Sequence, residues 1–273
     1  MKKLLTFIRE KYHPLLRLRR MSWFRRFQAR VDFPVRIRNG EIRQRIYWLR
    51  DLGFLLLRER LEEQTADCLE RLLKEMHPHL FVDIGANVGF YSWRVRQLSP
   101  ATEVWMFEPD ISNIRLLRTT IADNSLENIT LFPWAVSDTC GKIDFLVDGI
   151  SGKTGSIISQ ANTVGSLHND YGLQISSIIE CRSLDSMPEW RDKTDVLMKI
   201  DVEGAEEKVL AGAIGILQKV RPVVIIECFD SRRLEFLSSL AYRVIDLQEK
   251  GNYLLVPEEQ TNLLNIFKQR RST

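Results

Sequence analysis

Phe81-Val82-Asp83-Ile84-Gly85-Ala86-Asn87-Val88-Gly89 is the stretch that decides the fold of this chain. It is an apolar run that ends in an acidic residue and a glycine-punctuated turn, and a helix-like segment follows it. That is the pattern of a first parallel strand delivering the chain to a ligand loop at its C-terminal end. Gly85 and Gly89 lack the Cβ that would block both a sharp turn and the close approach of a ligand. The spacing is D-x-G-x-N-x-G, not the G-x-G-x-x-G of a dinucleotide loop, which aims helix amides at a pyrophosphate. A carboxylate ahead of the first glycine repels phosphate and attracts an ammonium.

Thr102-Glu103-Val104-Trp105-Met106-Phe107-Glu108-Pro109 reads as a second apolar strand, ending in Glu108, 25 residues after Asp83. An acidic side chain at that place accepts hydrogen bonds from the two ribose hydroxyls of a bound nucleoside. An Asp after a strand can equally cap a helix, and paired glycines can simply make a turn. The two acidic positions together favour an adenosine with a cationic, phosphate-free tail, which describes S-adenosylmethionine.

The chain has 273 residues, 44% hydrophobic and 27% charged, enough for one sizeable α/β domain with an appendage or at most two domains. Charge is unevenly placed. Residues 1–60 hold 17 Lys and Arg against 5 Asp and Glu, whereas residues 61–273 are net acidic. The expected division is a basic, largely helical N-terminal extension over 1–60 and the main domain over 61–273. Arg interleaved with aromatics, as in Arg17 to Phe27, suits a helix capping the domain, an anionic membrane surface, or nucleic acid. Cys68, Cys140, Cys181 and Cys228 are too scattered for a zinc site or a disulfide framework. With no apolar run long enough to span a bilayer and no convincing leader, the expected location is cytoplasmic, with peripheral contact at the inner face of a membrane through residues 1–60.

From Leu80 the chain alternates strand and helix, which implies right-handed crossovers and a parallel sheet. Strands are expected at 80–84, 103–108, 129–136, 195–201 and 223–228, and helices at 59–76, 90–98, 110–124, 204–219 and 232–240. Segments 242–248 and 252–256, around a Glu249-Lys250-Gly251 turn, read as an antiparallel hairpin at one sheet edge. The Gly-, Ser- and Asp-rich stretch 137–190 is an insertion with two strand-like segments, and an insertion this long favours a functional role.

Met198-Lys199-Ile200-Asp201-Val202-Glu203-Gly204-Ala205-Glu206 concentrates charge where an apolar fourth strand meets a helix. Ligands of open parallel sheets bind in the crevice at the C-terminal strand ends. A period of two places Lys199, Asp201 and Glu203 on one face if the strand continues that far. A salt-bridged strand end with a capped helix is the plainer alternative, at a considerable desolvation cost for the buried charges.

Val82 to Gly89, Phe107-Glu108-Pro109, Ala135-Val136-Ser137, Val164-Gly165-Ser166, Ser183-Leu184-Asp185 and Lys199 to Glu206, in that order, resemble the FkbM-type S-adenosylmethionine-dependent methyltransferases over roughly residues 80–256. The K-I-D-V-E-G-A-E string is the most specific of these. The resemblance implies a Rossmann-like class I methyltransferase fold, with a seven-stranded, mostly parallel sheet ending in the hairpin. It also implies O-methylation of a hydroxyl on a saccharide, glycolipid or related natural product. Residues 1–79 fall outside it.

The expected cofactor site comprises Asp83, Gly85, Asn87, Gly89 and Glu108, with Asn87 near the methionine portion and Ala135 and Ser137 flanking the adenine. Catalysis of transfer to an alcohol needs positioning and a group to take its proton. Asp201 is the first candidate base and Glu203 the second; Lys199 would orient a carboxylate or bind acceptor oxygens. Asp201, Glu203 and Asp185 are oxygen donors of the kind that hold a divalent metal. Three carboxylates in a sequence do not establish convergence, and no metal is assigned. The competing readings are an RNA methyltransferase, against which stands the lack of an N-P-P-[YF] tetrad and of paired catalytic cysteines, and a non-catalytic protein that docks through its basic N-terminal region.

Overall fold

The structure is a computed structural model that describes residues 27–28, 30–51, 62–148, 155–157, 174–202, 204–249 and 251–268. The expectations for the region before residue 27, for Val164 to Ser166, for Lys250 and for Glu203 lie outside the described residues.

The central sheet is built from β3 (Leu80–Ile84), β4 (Glu103–Phe107), β5 (Ile129–Phe132), β10 (Val196–Ile200), β11 (Val223–Glu227), β12 (Tyr242–Asp246) and β13 (Asn252–Pro257). Its order is β12-β13-β11-β10-β3-β4-β5, with β13 antiparallel to both neighbours and the other contacts parallel. This is the expected seven-stranded sheet with its C-terminal hairpin at the edge. Every residue of β3 and β10 is buried, as a strand covered on both faces requires.

Helices cover both faces. Apolar residues of α1 (Glu63–Met76), α2 (Phe90–Leu98), α3 (Ile111–Asp123) and α6 (Thr261–Lys268) pack on one side. Those of α4 (Glu206–Ala211), α5 (Ile214–Lys219) and a 3-10 helix at Ser231–Leu240 pack on the other. The α3 boundary follows from a cap: the Asp110 carboxylate accepts from the backbone N–H of Ser112 and Asn113. The single helix expected over 204–219 is two helices, divided at Gly212. A Cβ at Gly212 would stand 2.0 Å from the Ser137 carbonyl, so only glycine lets the chain pass there.

The third strand also ends early. Pro133 supplies no N–H to continue the ladder, and the chain leaves the central sheet after Phe132. β6 (Ala135–Val136) then joins a second sheet with β7 (Gly141–Asp148), β8 (Gly155–Ile157) and β9 (Gln174–Arg182), in the order β6-β9-β7-β8. The described residues of the insertion thus contribute three strands to a small second sheet.

The N-terminal extension departs from its helical expectation over 34–47. β1 (Pro34–Asn39) and β2 (Ile42–Tyr47) form an antiparallel hairpin through Gly40, whose φ is +59°. Val35, Ile37, Ile42 and Ile46 alternate with Arg, and Asn-Gly at the turn is a strong hairpin signal. Ile46 packs with Val88 and Leu116, and the Arg36 and Arg45 guanidinium groups pair with Asp123 at the end of α3. Part of the basic charge thus serves to fasten the hairpin to the domain. Among the described residues, no helix is long and apolar enough to cross a membrane.

Candidate active site

The strand order reverses between β3 and β10, and a cavity of about 330 Å³ opens at their C-terminal ends. That is the place, and roughly the size, of a small-molecule site in an open α/β sheet. The glycine loop after β3 forms its floor. Gly85 has φ +82°, and a Cβ there would stand 1.9 Å from the Asp201 carbonyl. The Gly85 and Ala86 N–H groups both donate to the Phe107 carbonyl, closing the loop onto β4. Asn87 adopts a left-handed conformation, φ +52°, and its N–H donates to Glu108 Oε2 at 2.7 Å.

Glu108 Oε1 accepts from the Asp110 N–H at 2.8 Å, so the carboxyl joins the glycine loop to the cap of α3. Burial pushes Glu108 up to about 7 despite these donors. Asp83 is pushed up to about 6, again by burial, with the Ser92 hydroxyl at 2.5 Å and the Lys199 charge working the other way. Asp83, Gly85, Asn87, Glu108 and Ala135 all line the cavity. Gly89 stands behind it as the N-cap of α2, where a Cβ would collide with the Trp93 ring.

Ser137 is placed away from the cavity. Its N–H donates to the Arg182 carbonyl, its hydroxyl donates to Asp138, and its carbonyl abuts Gly212. The early exit of the chain at Pro133 accounts for this, because it brings Trp134 and Ala135, rather than Ser137, to the strand ends. Trp134 lies edge-on to Phe107 and, with Phe145 of β7, gives this end of the cavity an aromatic lining.

The opposite end is acidic. Asp201 follows β10 directly, and its carboxylate lies 3.4 Å from Lys199 Nζ. Lys199 is fully buried under the cavity and faces the Tyr91 ring at 5.1 Å. Burial opposes its charge, yet the carboxyls of Asp201, Glu62, Glu227 and Asp83 outweigh that and hold its pKa above the ordinary value. Carboxylate oxygens of Glu62, Asp201 and Glu227 lie within 4.8 Å of one another. Glu227 is pushed up to about 9 by burial and by the neighbouring Asp201 carboxyl. Burial also raises Glu62, which accepts a hydrogen bond from the Tyr91 hydroxyl. Asp185, by contrast, accepts from the N–H groups of Gly215 and Ile216 and caps α5 instead of entering the cavity.

Glu62, Glu227, Trp134 and Phe145 are therefore site residues absent from the sequence expectation. Glu227 carried a usable signal, an acidic residue closing an all-apolar strand; Glu62 carried none.

The donor set suits the phosphate-free, cationic nucleoside expected from the sequence. Two buried carboxyls, Asp83 and Glu108, stand along a cavity whose one end is aromatic, and the Gly85 and Ala86 N–H groups of the loop are taken by the Phe107 carbonyl. The model of the methyltransferase FkbM domain matches residues 83–255, more than half of the chain. The 2-O-methyltransferase NoeI of Sinorhizobium fredii (strain NBRC 101917 / NGR234) is 31% identical over 160 residues, which is 55% of this chain. The match spans 63% of that relative's length. Among solved structures, methyltransferase FkbM from Methylobacillus flagellatus KT matches with TM-score 0.44 and 17% identity, over 65% of this chain and 43% of that one. A methyltransferase from Geobacter sulfurreducens matches with TM-score 0.39 and 18% identity, over 74% and 85%. The protein belongs to the FkbM methyltransferase family.

Proposed function

We propose that this protein methylates a hydroxyl oxygen of a saccharide, glycolipid or related natural product, using S-adenosylmethionine held at the β3 and β4 strand ends. The observation that carries the reading is the acidic end of the cavity, where Glu62, Asp201 and Glu227 converge over buried Lys199. Carboxylates suit neutral hydroxyl donors, and they disfavour the phosphates of an RNA acceptor. The relative NoeI, named a 2-O-methyltransferase, agrees with transfer to oxygen.

When bound, the cofactor supplies a methyl group already activated on a sulfonium sulfur, so the protein's contribution is positioning and proton management. In this reading Glu108 receives the ribose hydroxyls with the lone pairs its two backbone donors leave free. Asp83, held by Ser92, faces the ammonium of the methionine portion, and Trp134 and Phe145 exclude water around the adenine. Asp201 takes the acceptor's hydroxyl proton as the C–O bond forms, and Lys199 holds the Asp201 carboxylate in place.

Incubating the protein with isotopically labelled S-adenosylmethionine and cell glycan and lipid-linked sugar extracts tests this. A methyl mass shift in a saccharide fraction, lost in Asp201→Asn while calorimetric cofactor binding persists, is the expected result. Transfer confined to RNA would overturn it.

A further inference from the structure

We propose that Glu227 is a positioning residue for Asp201: the two carboxyls share one proton, Glu227 donating it in a hydrogen bond while Asp201 presents its ionised oxygen to the acceptor hydroxyl. This rests on the methyl transfer to oxygen proposed above, and it adds a residue that neither the glycine loop nor the charged string contains.

The placement follows from sheet register. Lys199 of β10 pairs with Ile225 of β11, so two residues further on, at the open ends of both strands, Asp201 and Glu227 stand on the same face. Their oxygens lie within the 4.8 Å cluster, and both residues line the cavity. Two carboxyls this close, partly removed from water, cannot both ionise without heavy repulsion, and one retains its proton. Lys199 Nζ, 3.4 Å from Asp201 Oδ2, decides which: the negative charge sits on Asp201 and the proton on Glu227. The raised Glu227 pKa agrees.

The charged and titratable groups facing the pair are Lys199 on β10, Asp83 on β3, Tyr91 on α2 and Glu62 just before α1, with Glu249 behind Glu62 and Tyr91. One ammonium facing four carboxyls leaves the cluster short of positive charge, which again favours a retained proton. In the reaction the acceptor O–H bond breaks and its proton passes to Asp201. The oxygen's electron pair forms the C–O bond, and the C–S bond breaks with its pair left on a neutral thioether. The doubly protonated pair then returns one proton to water.

Glu227→Gln and Glu227→Ala separate donation from charge, because the amide still donates but cannot ionise. In the wild type, kcat is expected to fall on the alkaline side near the Glu227 pKa of about 9. Glu227→Gln should keep kcat within about threefold and lose that fall, whereas Glu227→Ala should lose about tenfold or more, with cofactor affinity unchanged in both. An independent reading needs neither cofactor nor acceptor. At about pH 8, where Asp83 and Glu108 are largely ionised, the infrared carbonyl band of a protonated carboxyl should be present in the wild type and largely lost from Glu227→Gln. If the Ala variant fails to fold, the Gln profile and the infrared band still decide. Overturning results are a Gln variant that binds cofactor but is inactive, an Ala variant of near-normal kcat, a missing band, or turnover that requires a divalent cation bound through Glu227. A wild type that methylates no saccharide but shows the band would remove the proposed function and leave the shared proton standing.

Discussion

Lys199 on β10 and Asp83 on β3 occupy the same register position of two hydrogen-bonded parallel strands, so a fully buried ammonium lies beside the carboxyl that opens the glycine loop. One cation is thereby shared by two carboxyls of the cavity, Asp83 and Asp201, which stand on the donor and acceptor sides of the proposed reaction. Its removal should be costly. Lys199→Met leaves buried carboxyls without a counter-charge and should lower unfolding stability by about 3–5 kcal/mol in urea titrations. Adding Glu227→Gln should restore part of that loss, and simple additivity of the two changes would count against the shared cluster.

Cofactor affinity should depend on pH through Asp83 and Glu108, pushed up to about 6 and about 7. Both carboxyls are expected to meet their ligand groups ionised, so protonation of the free protein competes with binding. Calorimetric affinity should be level above about pH 7, fall by up to about tenfold per pH unit below it, and steepen below about pH 6. Glu108→Ala should weaken binding and abolish the upper step. A flat profile would argue that neither carboxyl meets the cofactor.

Gly85→Ala should disturb the acceptor side from the donor loop. The added methyl would meet the Asp201 carbonyl at 1.9 Å in a backbone conformation, φ +82°, that alanine resists. A stability loss of about 2 kcal/mol or more is expected by thermal melting, with a larger proportional loss of turnover than of fold.

Much of this was legible in the chain and some was not, for identifiable reasons. β3, the cap at Asp110 and the exit of β10 toward Asp201 announce themselves through continuous apolar runs punctuated by Gly or Asp. The hairpin Pro34–Tyr47 also announced itself, through Asn39-Gly40 and alternating Val, Ile and Arg, but arginine density drew the reading toward a basic helix. Ser137 was misplaced because Pro133 ends β5 before the expected strand is complete. Glu62 and Glu227 are 165 positions apart in the sequence and meet only because β11 lies beside β10 and α1 crosses the same face. No local pattern encodes such a meeting.

The hairpin gives a further test. Ile46, fully buried against Val88 and Leu116, should cost about 2–5 kcal/mol when changed to Ala. Because the Gln44 side chain on the same strand donates to the Val88 carbonyl at 2.9 Å, the change should also loosen the glycine loop and weaken cofactor binding. Asp123→Ala, which removes only the solvent-screened pairs to Arg36 and Arg45, should shift the melting temperature far less. Equal effects would mean that charge, not packing, fastens the hairpin.

Glu62 and Asp51 line the cavity from outside the segment 83–255 shared with the family, whereas the donor loop and the Asp201 strand end lie inside it. The wall is thus drawn from two stretches of chain, one inside the segment matched to the family and one that precedes it. Chimeras that exchange only the residues up to Glu62 would vary the shape offered to an incoming acceptor while the methyl-donor half stays constant. The N-terminal region is accordingly the natural place for drift, or for an engineer, to retune selectivity.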